Sequence, residues 1–265
     1  MKRISIIGCG AIAQYVAKQL SQERELQLVA VIMLPGFEQV ARDVMGAHIE
    51  TALSVNELSE RPDFAIDCAG HEALRQHGES ILALGIDLAS VSVGALADQD
   101  LYDALAAAAR QSGAQLRIVS GAIGALDALS AAKVGGLNRV IYRGRKPPVG
   151  WIGSPAEEKL ELSQLTEAAV HFRGTARNAA LDYPKNANVA ASVALAGMGF
   201  DDTEVELIAD PGVSENIHEI SAEGAFGRFD FQIRGRALPD NPRSSALAAM
   251  SVVRYALSQD AAIIV

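Results

Sequence analysis

The chain has 265 residues, 49% of them apolar, with a formal charge of −9 and a pI near 5.1. The length exceeds the roughly 100–200 residues of a single domain, so one large or two intimate domains are expected, with a sizeable core that needs no covalent staples. The acidic balance argues against general nucleic-acid binding, no apolar run reaches the roughly 18 residues of a membrane span, and two cysteines outside any CxxC pair do not make a disulfide framework.

In chain order, residues 3–8, "RISIIG", read as a strand. Residues 11–20 carry helical spacing, with Ile12, Val16 and Leu20 on one face. "LQLVAVIM" (26–33) is a strand and "FEQVARDVMG" a helix ending in glycine. "DFAIDCAG" (63–70) is a strand and "HEALRQHGESILALG" (71–85) a helix. "DLASVSVGAL", "DQDLYDALAAAARQSG" and "QLRIVSGA" continue as strand, helix and strand. Strand and helix alternate for about 120 residues, the pattern of a Rossmann-like doubly wound parallel sheet covered on both faces.

The pattern changes after "SGAIGALDALSAAKVGG". "NRVIYRG", "AAVHFRGTA", "TEVELIAD", "NIHEISAE" and "GRFDFQIRG" are closely spaced, and several alternate apolar and polar residues, as strands of a half-exposed antiparallel sheet do. One helix interrupts them at about 186–199, and "PRSSALAAMSVVRYALSQ" ends the chain as another. The expected plan is a dinucleotide-binding domain over 1–120 and an α+β domain over 121–240. A helical segment over 241–265 packs back on the first.

"IIGCGAIA" places Gly8-x-Gly10-x-x-Ala13 between a strand and a helix. Gly8 permits a tight turn, Gly10 lets the backbone approach a pyrophosphate, and Ala13 is small enough for helix and strand to pack. The helix start at Ala11, Ile12 and Ala13 offers N–H groups and a positive dipole end to phosphates. A structural glycine turn in another α/β fold is the competing reading. The acid that normally ends the second strand is missing; Met33-Leu34 stand there, with Glu38 and Arg42 further on. The cofactor is therefore NAD or NADP.

"SENIHEI" (214–220) holds His218 in a strand. A neutral imidazole can accept and return a proton near neutrality, but a packed core histidine fits the same residue. No second His or Cys stands at ligand spacing in this segment, so no metal is expected. His171 in "AVHFRG" is the competing histidine; His48 and His77 read as ordinary surface or helix positions. Cys68 reads as an apolar thiol, and His71 as a helix-start residue. "PKNANVAA" brings Lys185, Asn186 and Asn188 to a helix start, where one asparagine caps the helix or an amide contacts a cofactor. Lys146 in "GRKPPVGW" and Arg173 in "HFRGTAR" are candidate cations for a carboxylate, as is Lys185, and each also fits a solvated basic residue.

"IGCGAIA", "SGAIGALDAL", "RKPP", "FRGTAR", "PKNANVAA" and "NIHEI", in that order and over nearly the whole chain, resemble the L-aspartate dehydrogenase family. The resemblance implies NAD(P)-dependent oxidation of L-aspartate to iminoaspartate, which feeds NAD biosynthesis or hydrolyses to oxaloacetate and ammonia. It implies that His218 is catalytic and that Ala122 and Asn188 contact the cofactor. A homodimer, formed through the antiparallel sheet, and a cytoplasmic location are expected. The runner-up readings are a dihydrodipicolinate or homoserine-type reductase, although the paired-histidine and lysine motif of dihydrodipicolinate reductases is not seen, and a non-catalytic dinucleotide sensor.

Overall fold

The computed structural model describes residues 1–184, 186–239 and 241–264. They form two compact units, Met1–Val119 with Ala248–Val265, and Ser120–Leu247.

The first unit opens with β1 (Lys2–Ile7), α1 (Ala11–Leu20), β2 (Leu26–Ile32), α2 (Glu38–Met45) and β3 (Glu50–Ala52). It continues with β4 (Phe64–Asp67), α3 (His71–Ala83), β5 (Asp87–Ser90), α4 (Gln99–Ser112) and β6 (Leu116–Ile118). The six strands are parallel in the order β3-β2-β1-β4-β5-β6. Their apolar runs follow from burial on both faces. Ile4, Ile6, Phe64 and Ile66 pack with Val16 and Leu20 of α1. Asp98 caps α4 by accepting from the N–H groups of Asp100 and Leu101 (3.1 and 3.4 Å), and Gly113 ends it at φ 78°.

The expected strand over "DLASVSVGAL" is shorter. It stops at Ser90, whose hydroxyl donates to Asp67 Oδ2 (2.7 Å) and accepts from Ser92 N–H (2.9 Å), and Val93–Ala97 turn as a 3-10 helix. Strand β3 has too few residues to show a period and escaped the sequence reading.

The second unit contains α5 (Leu126–Gly135), β7 (Leu137–Lys146), β8 (Ala169–Thr175), α6 (Ala176–Asp182) and α7 (Asn188–Ala196). β9 (Glu204–Ala209), β10 (Asn216–Gly224) and β11 (Gly227–Gly235) follow. The five strands run β11-β10-β7-β9-β8, antiparallel except for β7 with β9. The strands β12 (Ala237–Leu238) and β13 (Asn241–Ser245) form a small ribbon, and α8 (Ala246–Ser258) closes the chain. The terminal helix therefore begins at Ala246, four residues beyond the proline expected to open it, because residues 241–245 are paired as a strand. Val252 and Ala256 of α8 join the core formed by β1, β4 and α1.

Candidate active site

In the first unit the strand order reverses between β1 and β4, so the loops after these strands flank the crevice where such sheets bind ligands. Gly8 has φ +94°, and a Cβ there would lie 2.8 Å from Ala69 Cβ, so glycine is required twice over. Gly10 precedes α1 with open space where a side chain would stand. The first helical bond runs from Gln14 N–H to Gly10 O (2.9 Å), leaving the N–H groups of Ala11, Ile12 and Ala13 ahead of it, with no acidic residue in that turn. A cavity of about 260 Å³ opens here, lined among others by Gly8, Gly10, Met33, Leu34, Phe37 and Cys68. Its donors and apolar walls fit a dinucleotide: the helix start can hold a pyrophosphate, and Met33, Leu34 and Phe37 offer an apolar wall for an adenosine. Among the described residues, no lysine or arginine lines it.

Burial disfavours the charged forms of the thiols, the aspartate and the histidine around this crevice. Burial pushes the Cys9 and Cys68 thiols up, Cys68 further with help from Asp67, so neither is a ready nucleophile. Burial also raises the Asp67 carboxyl against the hydrogen bonds from Ser90 and Ala69 N–H that oppose it. His77, read from sequence as an ordinary position, is buried on α3 with its imidazole pushed down by burial.

In the second unit His218 lies on β10 opposite Gly144 of β7. It is 5% exposed, and its Nδ1 lies 2.7 Å from Tyr142 Oη. Tyr142, Gly144 and Lys146 alternate along β7 onto the face that His218 shares. Burial, and then the positive charge of Lys146, push the His218 imidazole down to about 3. Burial pushes Lys146 down to about 8, and burial keeps Tyr142 protonated far above neutrality. The site therefore couples a neutral imidazole to a cation of unusually labile charge.

Lys146 Nζ donates to Asn186 Oδ1 (2.6 Å) and lies 5.0 Å from the centre of the Trp151 ring. Asn186 thus serves the lysine and not the helix: α7 starts at Asn188 after Ala187, with no side-chain cap. Asn188 is half-buried in the first turn of α7, and Ala122 is half-buried in the turn before α5. Lys185 lies outside the described residues.

Arg173 does not join this group. It pairs in register with Glu206, on the face of the sheet opposite His218, and its Nε donates to Glu206 Oε1 (3.0 Å). Its side chain is 70% exposed and engaged in that ion pair. Sequence reading also missed Tyr142, because a tyrosine in a strand carries no sign of the histidine it meets on a strand 76 residues away. Among the described residues no three His, Cys, Asp or Glu side chains gather as metal ligands, and no helix is long and apolar enough to cross a membrane.

Residues 127–259 match the family model described as aspartate dehydrogenase, C-terminal, and residues 8–118 match that of the homoserine dehydrogenase NAD-binding domain. The chain is 54% identical over 261 residues to an L-aspartate dehydrogenase of Ruegeria pomeroyi, covering 98% of this chain and 94% of the relative. It is 49% identical over 255 residues to an L-aspartate dehydrogenase of Cupriavidus necator, covering 96% of each. In fold it is similar to the crystal structure of an aspartate dehydrogenase from Thermotoga maritima, with TM-score 0.75 and 24% identity over 100% of this chain and 99% of the other. An archaeal homoserine dehydrogenase shares the fold more distantly, with TM-score 0.61 and 12% identity over 97% of each chain. With its dinucleotide-type glycine loop and its buried His218 beside Lys146, this chain belongs to the L-aspartate dehydrogenase family.

Proposed function

We propose that this protein oxidises L-aspartate to iminoaspartate with NAD(P)⁺, His218 carrying the proton of the substrate amine. The observation that carries the proton role is the 2.7 Å contact between His218 and Tyr142 beside a half-buried lysine. A protonated amine cannot become an imine, so the reaction needs a proton acceptor at the amine. The role uses the tautomer in which Nδ1–H donates to Tyr142 Oη, leaving the Nε2 lone pair to accept. In the free protein burial and Lys146 make His218 a weak base. A dicarboxylate bound against Lys146 offsets that positive charge, so His218 gains proton affinity when substrate is present.

Gly8, Gly10 and the N–H groups of Ala11, Ile12 and Ala13 would hold the pyrophosphate, and Ala122 and Asn188 the nicotinamide half. NAD(P)⁺, when bound, supplies the hydride acceptor. Lys146 meets a substrate carboxylate. Hydrolysis of the imine gives oxaloacetate and ammonia, and iminoaspartate passed on intact supplies NAD biosynthesis. We read the protein as cytoplasmic, where the nicotinamide dinucleotides are held. We read it as a homodimer, because a five-stranded sheet offers a broad shared face.

The test is formation of reduced cofactor from L-aspartate by the wild type and by His218→Asn, with NAD⁺ affinity measured in both. Turnover that falls at least about 100-fold in the variant, with NAD⁺ affinity retained, is expected. Undiminished turnover in the variant removes His218 as proton carrier. Cofactor binding without aspartate turnover in the wild type removes the substrate assignment in favour of a reductase or a sensor.

A further inference from the structure

The second unit holds another buried histidine–tyrosine pair. The register of β8 against β9 slips between Val170 and Phe172, and His171 is the residue at the slip. Such a bulge re-aims a side chain, and here it leaves both His171 and Phe172 buried where strict alternation would bury one. His171 is 5% exposed. Its Nδ1 lies 3.2 Å from Tyr183 Oη, and its ring centre lies 4.3 Å from that of Trp151. Its Nε2 is buried with no hydrogen-bond partner among the described residues. Trp151 is itself fixed, its Nε1 donating to Ile208 O (3.0 Å). The same Trp151 ring lies under Lys146 Nζ, and the charge of Lys146 acts on both His171 and His218. His171 therefore belongs to the neighbourhood of Lys146.

Buried polar atoms without a partner are rare in folded proteins and call for a specific cause. The charges around this one are cations: Lys146, and Lys159, whose Nζ lies over the Phe172 and Tyr183 rings at 5.8 and 5.9 Å. Burial, then Lys159 and Lys146, push the imidazole down to about 4, so it is neutral at physiological pH. A neutral imidazole paired through Nδ1 has one nitrogen left to offer. Cationic surroundings favour an anionic partner, and an anion selects the tautomer in which Tyr183 Oη–H donates to Nδ1 and Nε2 carries the hydrogen.

We propose that His171 Nε2–H donates a hydrogen bond to the side-chain carboxylate of the substrate, making His171 a specificity-determining residue for amino acids with a second carboxylate. This rests on the L-aspartate reading above. A site with a buried donor left unmet rejects the analogue that lacks the acceptor, and this is how a small dicarboxylate is told from an aliphatic amino acid of equal length.

The experiment compares wild type with His171→Phe, which keeps an aromatic ring against Trp151 and Tyr183, and His171→Gln, which keeps an amide N–H donor. Binding of succinate and of butyrate is followed by the fluorescence of Trp151, the only tryptophan. The kinetics of L-aspartate and the affinity for NAD⁺ are measured alongside. His171→Phe is expected to weaken succinate binding and raise the L-aspartate KM by about 10–100-fold, more than kcat falls. Butyrate and NAD⁺ binding stay the same, and His171→Gln recovers part of the loss. Equal weakening of succinate and butyrate, or no change in either, overturns the proposal and leaves His171 a packing residue. If the wild type binds NAD⁺ but does not oxidise L-aspartate, the substrate reading falls instead, and the succinate-to-butyrate ratio alone decides His171.

Discussion

Tyr142 Oη meets His218 Nδ1 at 2.7 Å, reaching over Gly144, the residue directly opposite His218 in the sheet. A Cβ on Gly144 would stand 2.8 Å from that same hydroxyl and 3.2 Å from Leu207 Cδ2. Gly144 is thus the gap through which the tyrosine holds the histidine. Gly144→Ala is expected to displace Tyr142 and lower kcat at least about tenfold, and Tyr142→Phe to do the same without the steric change. NAD⁺ affinity should hold in both. Wild-type kcat in both variants would show that the hydrogen bond does not orient the base.

Lys146 is cationic below about 8 and becomes neutral as the pH rises through that value, because burial disfavours its charge. Binding of a dicarboxylate such as succinate to the free enzyme should weaken above that pH, approaching about tenfold per unit once the neutral amine dominates. Lys146→Met should bind weakly at every pH, with a flat profile over the same range. The measurement is the succinate dissociation constant across that range. A sloping profile in the methionine variant would place the titrating group elsewhere.

The two buried histidines of the second unit, His218 and His171, make the fold sensitive to acid, and His77 of the first unit acts in the same direction. The native imidazoles of His218 and His171 take up protons only near 3 and 4, against 6.5 for an ordinary histidine. Between about pH 6.5 and pH 4 the unfolded chain binds more protons, so stability falls as the pH falls, by up to about 1.4 kcal/mol per unit for each histidine. Denaturant unfolding at several pH values checks this. Removing one imidazole, as in His171→Phe, should flatten the slope by about half of what His171 and His218 contribute together. An unchanged slope would mean that the imidazole is already protonated in the native state.

The end of β2 carries no charge to choose between cofactors: Met33 is buried and Leu34 is 58% exposed on the cavity wall. Leu34→Asp should accept the ribose hydroxyl of NAD and repel the 2′-phosphate of NADP. The expected result is a fall in kcat/KM with NADP of about 10–100-fold, with NAD turnover kept. Equal effects on both cofactors would place the adenosine ribose away from Leu34.

Local sequence determined the first unit almost completely. Apolar strands such as Ile4–Ile7, the helical spacing of Val16 and Leu20, and the glycine loop are short-range patterns, and a parallel sheet buried on both faces makes them unmistakable. The strands of the second unit, and the motif that holds His218, were legible for the same reason. The chemistry around His218 was not. Which face of the sheet Arg173 takes depends on register, and register sent it to Glu206. Asn186 reads as a cap until Lys146, 40 residues away, takes its oxygen. A single slipped residue in β8 turned His171 inward beside Trp151. The sequence alone therefore settled the fold class and the family, and offered His218 as the proton carrier to test. Tertiary structure alone decided which groups surround that carrier and how far burial lowers the proton affinity of His218, His171 and Lys146, because desolvation and register are properties of strands that meet only after folding.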